Sequence, residues 1–146
     1  MMRITGKPTS SELEILSVIW ERGEATVKEV HEILNANKPT AYTTVLKFLQ
    51  IMDEKGLVER NKTAKAHVYR AKQPQNETQK NLVSDLLEKA FRGSALRLVQ
   101  HVLETKPTSA EELREIRKMI GEAEKQVEKQ VEKKAEKQAE KKGENK

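Results

Sequence analysis

Residues 39–70 read PTAYTTVLKFLQIMDEKGLVERNKTAKAHVYR, and the reading of this stretch decides the fold. Tyr42, Val45, Leu46, Leu49 and Met52 recur at helical spacing, which predicts a helix over residues 39–52 with one apolar face, ended by Gly56. Its start is assigned to Pro39 or Thr40, because proline suits the first helical turn and a threonine side chain caps free amides. The opposite face carries Thr40, Thr43, Thr44 and Lys47, with no acid before Asp53. Surface helices usually mix charge signs, so a face of hydroxyls and lysine without carboxylates points to an anionic partner. Residues 57–60 and 66–70 are rich in β-formers and flank Asn-Lys-Thr-Ala-Lys at 61–65, which reads as a hairpin with a basic tip.

Working outward, Thr9 followed by Glu12 is a capping box, and Leu13, Leu16, Ser17 and Trp20, widened by Ile15 and Ile19, give a first helix stopped by Gly23. Thr26 and Glu29 repeat the box ahead of Val27, Val30, Ile33 and Leu34, and residues 35–38 form the turn. Three helices followed by a basic hairpin describe a winged helix-turn-helix, whose third helix occupies a DNA major groove while the wing touches the backbone or the neighbouring minor groove. Thr40, Thr43, Thr44 and Lys47 are the candidate direct contacts. A threonine hydroxyl bonds bases or phosphates and its methyl meets thymine, while lysine and a helix N-terminus favour phosphate oxygens. Arg60, Lys62 and Lys65 are expected to position the protein on phosphates. Tyr42 fits either a base-stacking role or the core edge.

Charge supports this placement. The 146 residues carry 28 Lys and Arg against 23 Asp and Glu, a net charge of +5. Residues 8–37 hold two bases and six acids, net −4, whereas residues 38–72 hold eight bases and three acids, net +5. A basic segment in a nearly balanced chain is the footprint of a phosphate-facing surface, although a solvated lysine-rich face gives the same count.

Several classes are excluded or disfavoured. With no cysteine, neither a disulfide nor a thiolate metal site is available, and a reducing, cytoplasmic location is expected. No apolar run approaches the roughly 20 residues needed to span a membrane, and no leader-like start is read. His31, His67 and His101 stand far apart without HxxxH or HExxH spacing, so no metal or other cofactor is expected. No glycine-rich phosphate loop or GxSxG nucleophile setting occurs, and carboxylates such as Glu12 and Glu14 read as helix starts and solvent faces, so the chain is not expected to be an enzyme.

Beyond Pro74, Leu82, Val83, Leu86, Leu87, Ala90 and Phe91 form a stripe ending near Gly93; Leu96, Val99, Val102 and Leu103 form another. Ser109 with Glu112 then opens a helix carrying Leu113, Ile116 and Ile120. These faces have little room in a core built from residues 9–70, so they are expected to bury against a second subunit, the alternative being that they fold back on their own domain. From Glu124 the chain repeats EKQV, EKQV, EKKA, EKQA, EKKG. A four-residue period drifts by about 40° per repeat, so Val127, Val131, Ala135 and Ala139 spiral round the helix without forming a seam. Glu stands four from Glu and Lys four from Lys, which predicts a fraying helix or a disordered tail.

PTSSELEILSVIW, PTAYTTVLKFLQIMDEKGLV, AHVYRA, FRGSALRLV and SAEELREIRKMI together resemble the penicillinase-repressor family of transcriptional regulators, the BlaI/MecI/CopY group, over about residues 8–121. The resemblance implies a homodimer, a C-terminal helical dimerisation domain, a palindromic operator on double-stranded DNA and repression of nearby genes. The copper-responsive branch carries a cysteine-rich motif that this chain lacks. In the β-lactam branch a membrane-bound sensor protease cuts at an Asn-Phe pair; the aligned pair here is His101-Val102, which puts release by cleavage at that bond in doubt and leaves a sensor protease of different specificity as the alternative. The expected organisation is mainly α with a small β-hairpin wing: a winged helix-turn-helix domain at 8–73, a helical dimerisation domain at 76–121 and a charged tail, helical or disordered, at 122–146. A sequence-specific regulator, a repressor, is the expected function; the alternative is a winged-helix protein-interaction module that reads no specific DNA.

Overall fold

The computed structural model describes residues 7–63, 65–106 and 108–144. Ala64 of the expected hairpin tip, Pro107, and residues 145–146 of the expected tail lie outside them. The elements run α1 (Ser10–Arg22), β1 (Ala25–Thr26), α2 (Val27–Asn37), α3 (Tyr42–Lys55), β2 (Val58–Asn61), β3 (Val68–Ala71), α4 (Gln75–Lys89), α5 (Ala95–Thr105) and α6 (Ala110–Glu144). The three strands form one antiparallel sheet in the order β1-β3-β2. The fold is thus mainly helical with a small sheet, a winged helix in which the expected hairpin gains β1 as a third strand. Two residues long, β1 leaves no alternation to read; Ala25 opposite Tyr69 and Thr26 opposite Val68 make it visible.

Local signals set the helix ends. Thr9 donates its N–H to Glu12 Oε1 at 2.8 Å and accepts from the Glu12 N–H at 3.2 Å. Thr26 and Glu29 exchange the same two bonds, both at 3.1 Å. α3 ends at Gly56 in the left-handed region, φ 81° and ψ 18°, from which Leu57 donates back to Met52 O at 2.9 Å and the chain turns into β2.

The core of the first unit, which runs to Gly93, is built from Ile15, Leu16 and Ile19 of α1, Val30 of α2, Val45, Leu49 and Met52 of α3, and Val58 and Tyr69 of the sheet. Full burial of each large side chain contributes about 1.5–3 kcal/mol, so this set and not the exposed ion pairs fixes the rotation of α3 about its axis. Two expectations need correction. Ser17 is exposed and bonds its own helix at Leu13 O, while Val18 takes a buried position. Glu12 does not face solvent: it is 1% exposed, and Lys55 Nζ reaches its two oxygens at 2.8 and 3.1 Å. The capping geometry turns the carboxylate inward, where the last turn of α3 supplies the counter-charge.

Trp20 lies half-buried and donates from Nε1 to Gln73 O at 3.2 Å, anchoring the segment that leads from β3 to α4. In the second unit, from Ser94 onward, α5 is capped by Ser94, which accepts from the Arg97 N–H at 3.2 Å. Ser109 accepts from the Glu112 N–H at 3.1 Å at the start of α6. That helix is continuous to Glu144, so the repeats are helical over the described residues. Leu96, Val99, Val102 and Leu103 of α5 and Leu113, Met119 and Ile120 of α6 remain exposed, Leu96 by 79% and Met119 by 64%.

Burial alone would raise the Glu12 pKa; the bond and charge of Lys55 and the two bonds from Thr9 outweigh it and hold the carboxyl below its ordinary value of 4.5. A depressed carboxylate stabilises the fold fully above the unfolded pKa and loses that contribution as pH falls through the folded one. Urea midpoints are therefore expected to drop as pH falls below about 4.5, and less steeply in Glu12→Gln. Lys55→Met leaves the carboxylate buried without its partner and should cost about 3 kcal/mol at pH 7 in the same assay.

Candidate nucleic-acid interface

α3 presents a coherent polar face because its other side is committed to the core. Thr43, Thr44 and Lys47 are all exposed, as expected, and Gln50 joins them. Seven residues past Thr43, Gln50 returns to within about 20° of the same direction, two turns along. A glutamine amide has the donor and acceptor for a paired bond to adenine, which threonine lacks, so the face carries one side chain of bidentate capacity. Gln50 is not among the contacts expected from the sequence, although it is legible from the same helical spacing.

Thr40 falls outside the helix, and the expected start at Pro39 or Thr40 is corrected to Tyr42, with Ala41 at the N-cap and no side-chain cap. The reason is a set of bonds that hold Thr40 in the turn. Its N–H donates to Asn35 Oδ1 at 3.0 Å, its hydroxyl donates to Lys38 O at 2.8 Å, and its carbonyl pairs with His31 Nε2 at 2.8 Å. The hydroxyl that was expected to cap α3 is therefore turned back on the connection. Tyr42 is 45% exposed, at the core edge, with its ring edge-on to His31 at a centroid distance of 5.7 Å and an interplanar angle of 74°.

In the wing, Val58 pairs with Ala71, Glu59 with Arg70, Arg60 with Tyr69 and Asn61 with Val68. Glu59 and Arg70 form an ion pair across the ladder, so Arg70 is charge-compensated. Arg60, Lys62 and Lys65 are exposed, as is Lys47, and none of the four forms an ion pair among the described residues. Asn61 Oδ1 accepts from the Thr63 N–H at 3.0 Å and from its hydroxyl at 2.6 Å, shaping the turn that carries Lys62. Burial raises the Tyr69 pKa and outweighs the charge of Arg60, which lowers it; the rise suits its place in the core beneath the wing.

Comparison with known proteins identifies this arrangement. The family described as Penicillinase repressor matches residues 8–122. The chain belongs to the penicillinase repressor family. It is 33% identical over 115 residues to the transcriptional regulator BlaI of Mycobacterium tuberculosis (strain CDC 1551 / Oshkosh), covering 77% of this chain and 82% of that one. It is 21% identical over 112 residues to the methicillin resistance regulatory protein MecI of Staphylococcus aureus (strain N315), covering 77% and 91%. The solution structure of the DNA-binding domain of the repressor BlaI covers 53% of this chain and 93% of that one, at 24% identity and a TM-score of 0.45. Residues 123–144 of α6 extend past the region matched to the family.

No group of three or more His, Asp or Glu side chains suited to hold a metal occurs among the described residues. A concavity of about 640 Å³ beside the wing is open to solvent and lined by both signs of charge, including Asp53, Glu59, Arg60 and Arg70.

Lys62→Ala is expected to weaken binding to all DNA duplexes alike and to reduce the slope of log affinity against log salt by about 1, read by fluorescence anisotropy. Gln50→Ala should instead change which bases a selected duplex contains, with little effect on the salt slope.

Proposed function

We propose that the protein is a sequence-specific DNA-binding transcriptional regulator, a repressor that occupies a palindromic operator as a homodimer. The observation that carries this reading is the exposed face of α3, with Thr43, Thr44, Lys47 and Gln50 free of acids over its first three turns. Beside it stand the uncompensated cations of the wing. The relatives' names, transcriptional regulator and resistance regulatory protein, agree with it. In the proposed complex α3 reads bases, the wing residues Arg60, Lys62 and Lys65 hold phosphates, and specificity is shared between few base contacts and the spacing of two half-sites about 34–36 Å apart.

The homodimer is supported by the apolar faces of α5 and α6, which the single chain leaves uncovered while its core closes within residues 15–69. A cytoplasmic location fits this role; no helix among the described residues is long and apolar enough to cross a membrane. His101 and Val102 lie inside α5, so a sensor protease cutting between them would first have to unwind that helix.

Mobility-shift assays on the full chain test the reading. DNA from upstream of its own gene should be retained at concentrations that leave random duplex free, with binding falling steeply as salt rises. Equal, weak affinity for both would overturn specific regulation. In sedimentation equilibrium the wild type should run as a dimer, and Val99→Glu combined with Leu103→Glu should yield monomer that retains its helix content and shifts operator DNA only at much higher concentration.

A further inference from the structure

α3 begins without a side-chain cap, and the connection that leads to it has little apolar anchorage, since Lys38, Pro39 and Ala41 are exposed and Thr40 is half-buried. What holds this connection is polar and comes from α2. His31 and Asn35 stand four residues apart, hence on one face of α2, and grip the two backbone groups of a single residue, the N–H and the carbonyl of Thr40. A carbonyl oxygen only accepts, so His31 Nε2 carries the hydrogen of that bond. Together the two bonds fix the peptide planes on both sides of Thr40. The imidazole also packs edge-on against Tyr42, the first residue of α3.

We infer that His31 and Asn35 form a positioning pair that sets the first turn of α3 for reading bases, making them specificity-determining residues that never touch DNA. The inference rests on the proposed function. The first turn carries Tyr42, Thr43 and Thr44, and no side chain caps its free amides. Lys47, Arg60, Lys62 and Lys65 stand on segments held by the core or by the sheet ladder and do not depend on the clamp. Loss of the clamp therefore separates two properties that ordinary destabilisation would lower together: base preference falls, while attraction to any phosphate backbone stays. Thr40 has its N–H, its carbonyl and the hydrogen of its hydroxyl engaged in holding the turn.

The test uses the full chain and a random-sequence duplex pool from which wild type selects its preferred duplex; that duplex and a scrambled version are the probes. His31→Ala should reduce the ratio of the two affinities by about tenfold, while affinity for the scrambled duplex changes by less than about twofold. His31→Gln, whose side-chain amide N–H can reach the Thr40 carbonyl, should recover most of the ratio. Asn35→Ala, at an exposed residue, should move it in the same direction as His31→Ala and serves if the latter fails to fold. Without DNA, the amides of residues 42–44 should exchange faster in His31→Ala, with β2 and β3 unchanged. An undiminished ratio in both alanine variants, a parallel loss on both probes, or a glutamine variant as defective as alanine would overturn the pairing and leave the regulator reading intact. A wild type that enriches no sequence would overturn the regulator reading, and the pairing with it.

Discussion

The buried carboxylate of Glu12, capping α1 through Thr9 while accepting from Lys55 at the end of α3, joins the start of the first helix to the end of the third. Neither group is comfortable alone: an unpaired carboxylate 1% exposed carries a large desolvation penalty, so the two helices are held in register by the need to keep the charges together. With α3 fixed at its C-terminal end by this pair, along its length by Val45, Leu49 and Met52, and at its start by the grip of α2 on Thr40, its polar face has one orientation available. The surface proposed to face nucleic acid is thus a by-product of how the opposite surface is buried.

The wing obeys a different logic. Its strands are four residues each, too short to bury much, and only Val58 and Tyr69 of the hairpin strands are buried in the core. The ladder does the positioning, aided by β1 on the free side of β3 and by the Glu59–Arg70 pair. That pair also sorts the charges. Of the bases in β2, its turn and β3, Arg70 is neutralised by its neighbour, whereas Arg60, Lys62 and Lys65 form no ion pair among the described residues. Electrostatic attraction of this kind sets affinity and association rate; it carries no base sequence.

The two units reach opposite balances. The first closes an apolar core whose buried members all fall between Ile15 and Tyr69. The second, from Ser94, buries no large apolar side chain among the described residues and leaves a row on α5 and another on α6 in water. Helices with such faces gain stability when something covers them, because most helical stability in proteins comes from packing an apolar face. The repeats at the end of α6 lack even this: Val127 and Val131 drift round the axis, and the i,i+4 rows place like charges together.

The starts of α1, α2 and α6, the glycine stop after α3, the hairpin, and the apolar and polar faces of α3 were determined by the sequence by itself, because each depends on residues within about one or two turns of one another. The place of Gln50 on the polar face belongs with these, since helical spacing alone sets it. The burial of Glu12, the strand β1, the bond from Trp20 to Gln73 and the true start of α3 were decided only by the tertiary structure. Each joins residues distant in sequence or in different elements, where no periodicity exists to be read. The helix start is the clearest case: Thr40 has the chemistry of a cap, but side chains from α2 claim its backbone and place it one residue before the cap position.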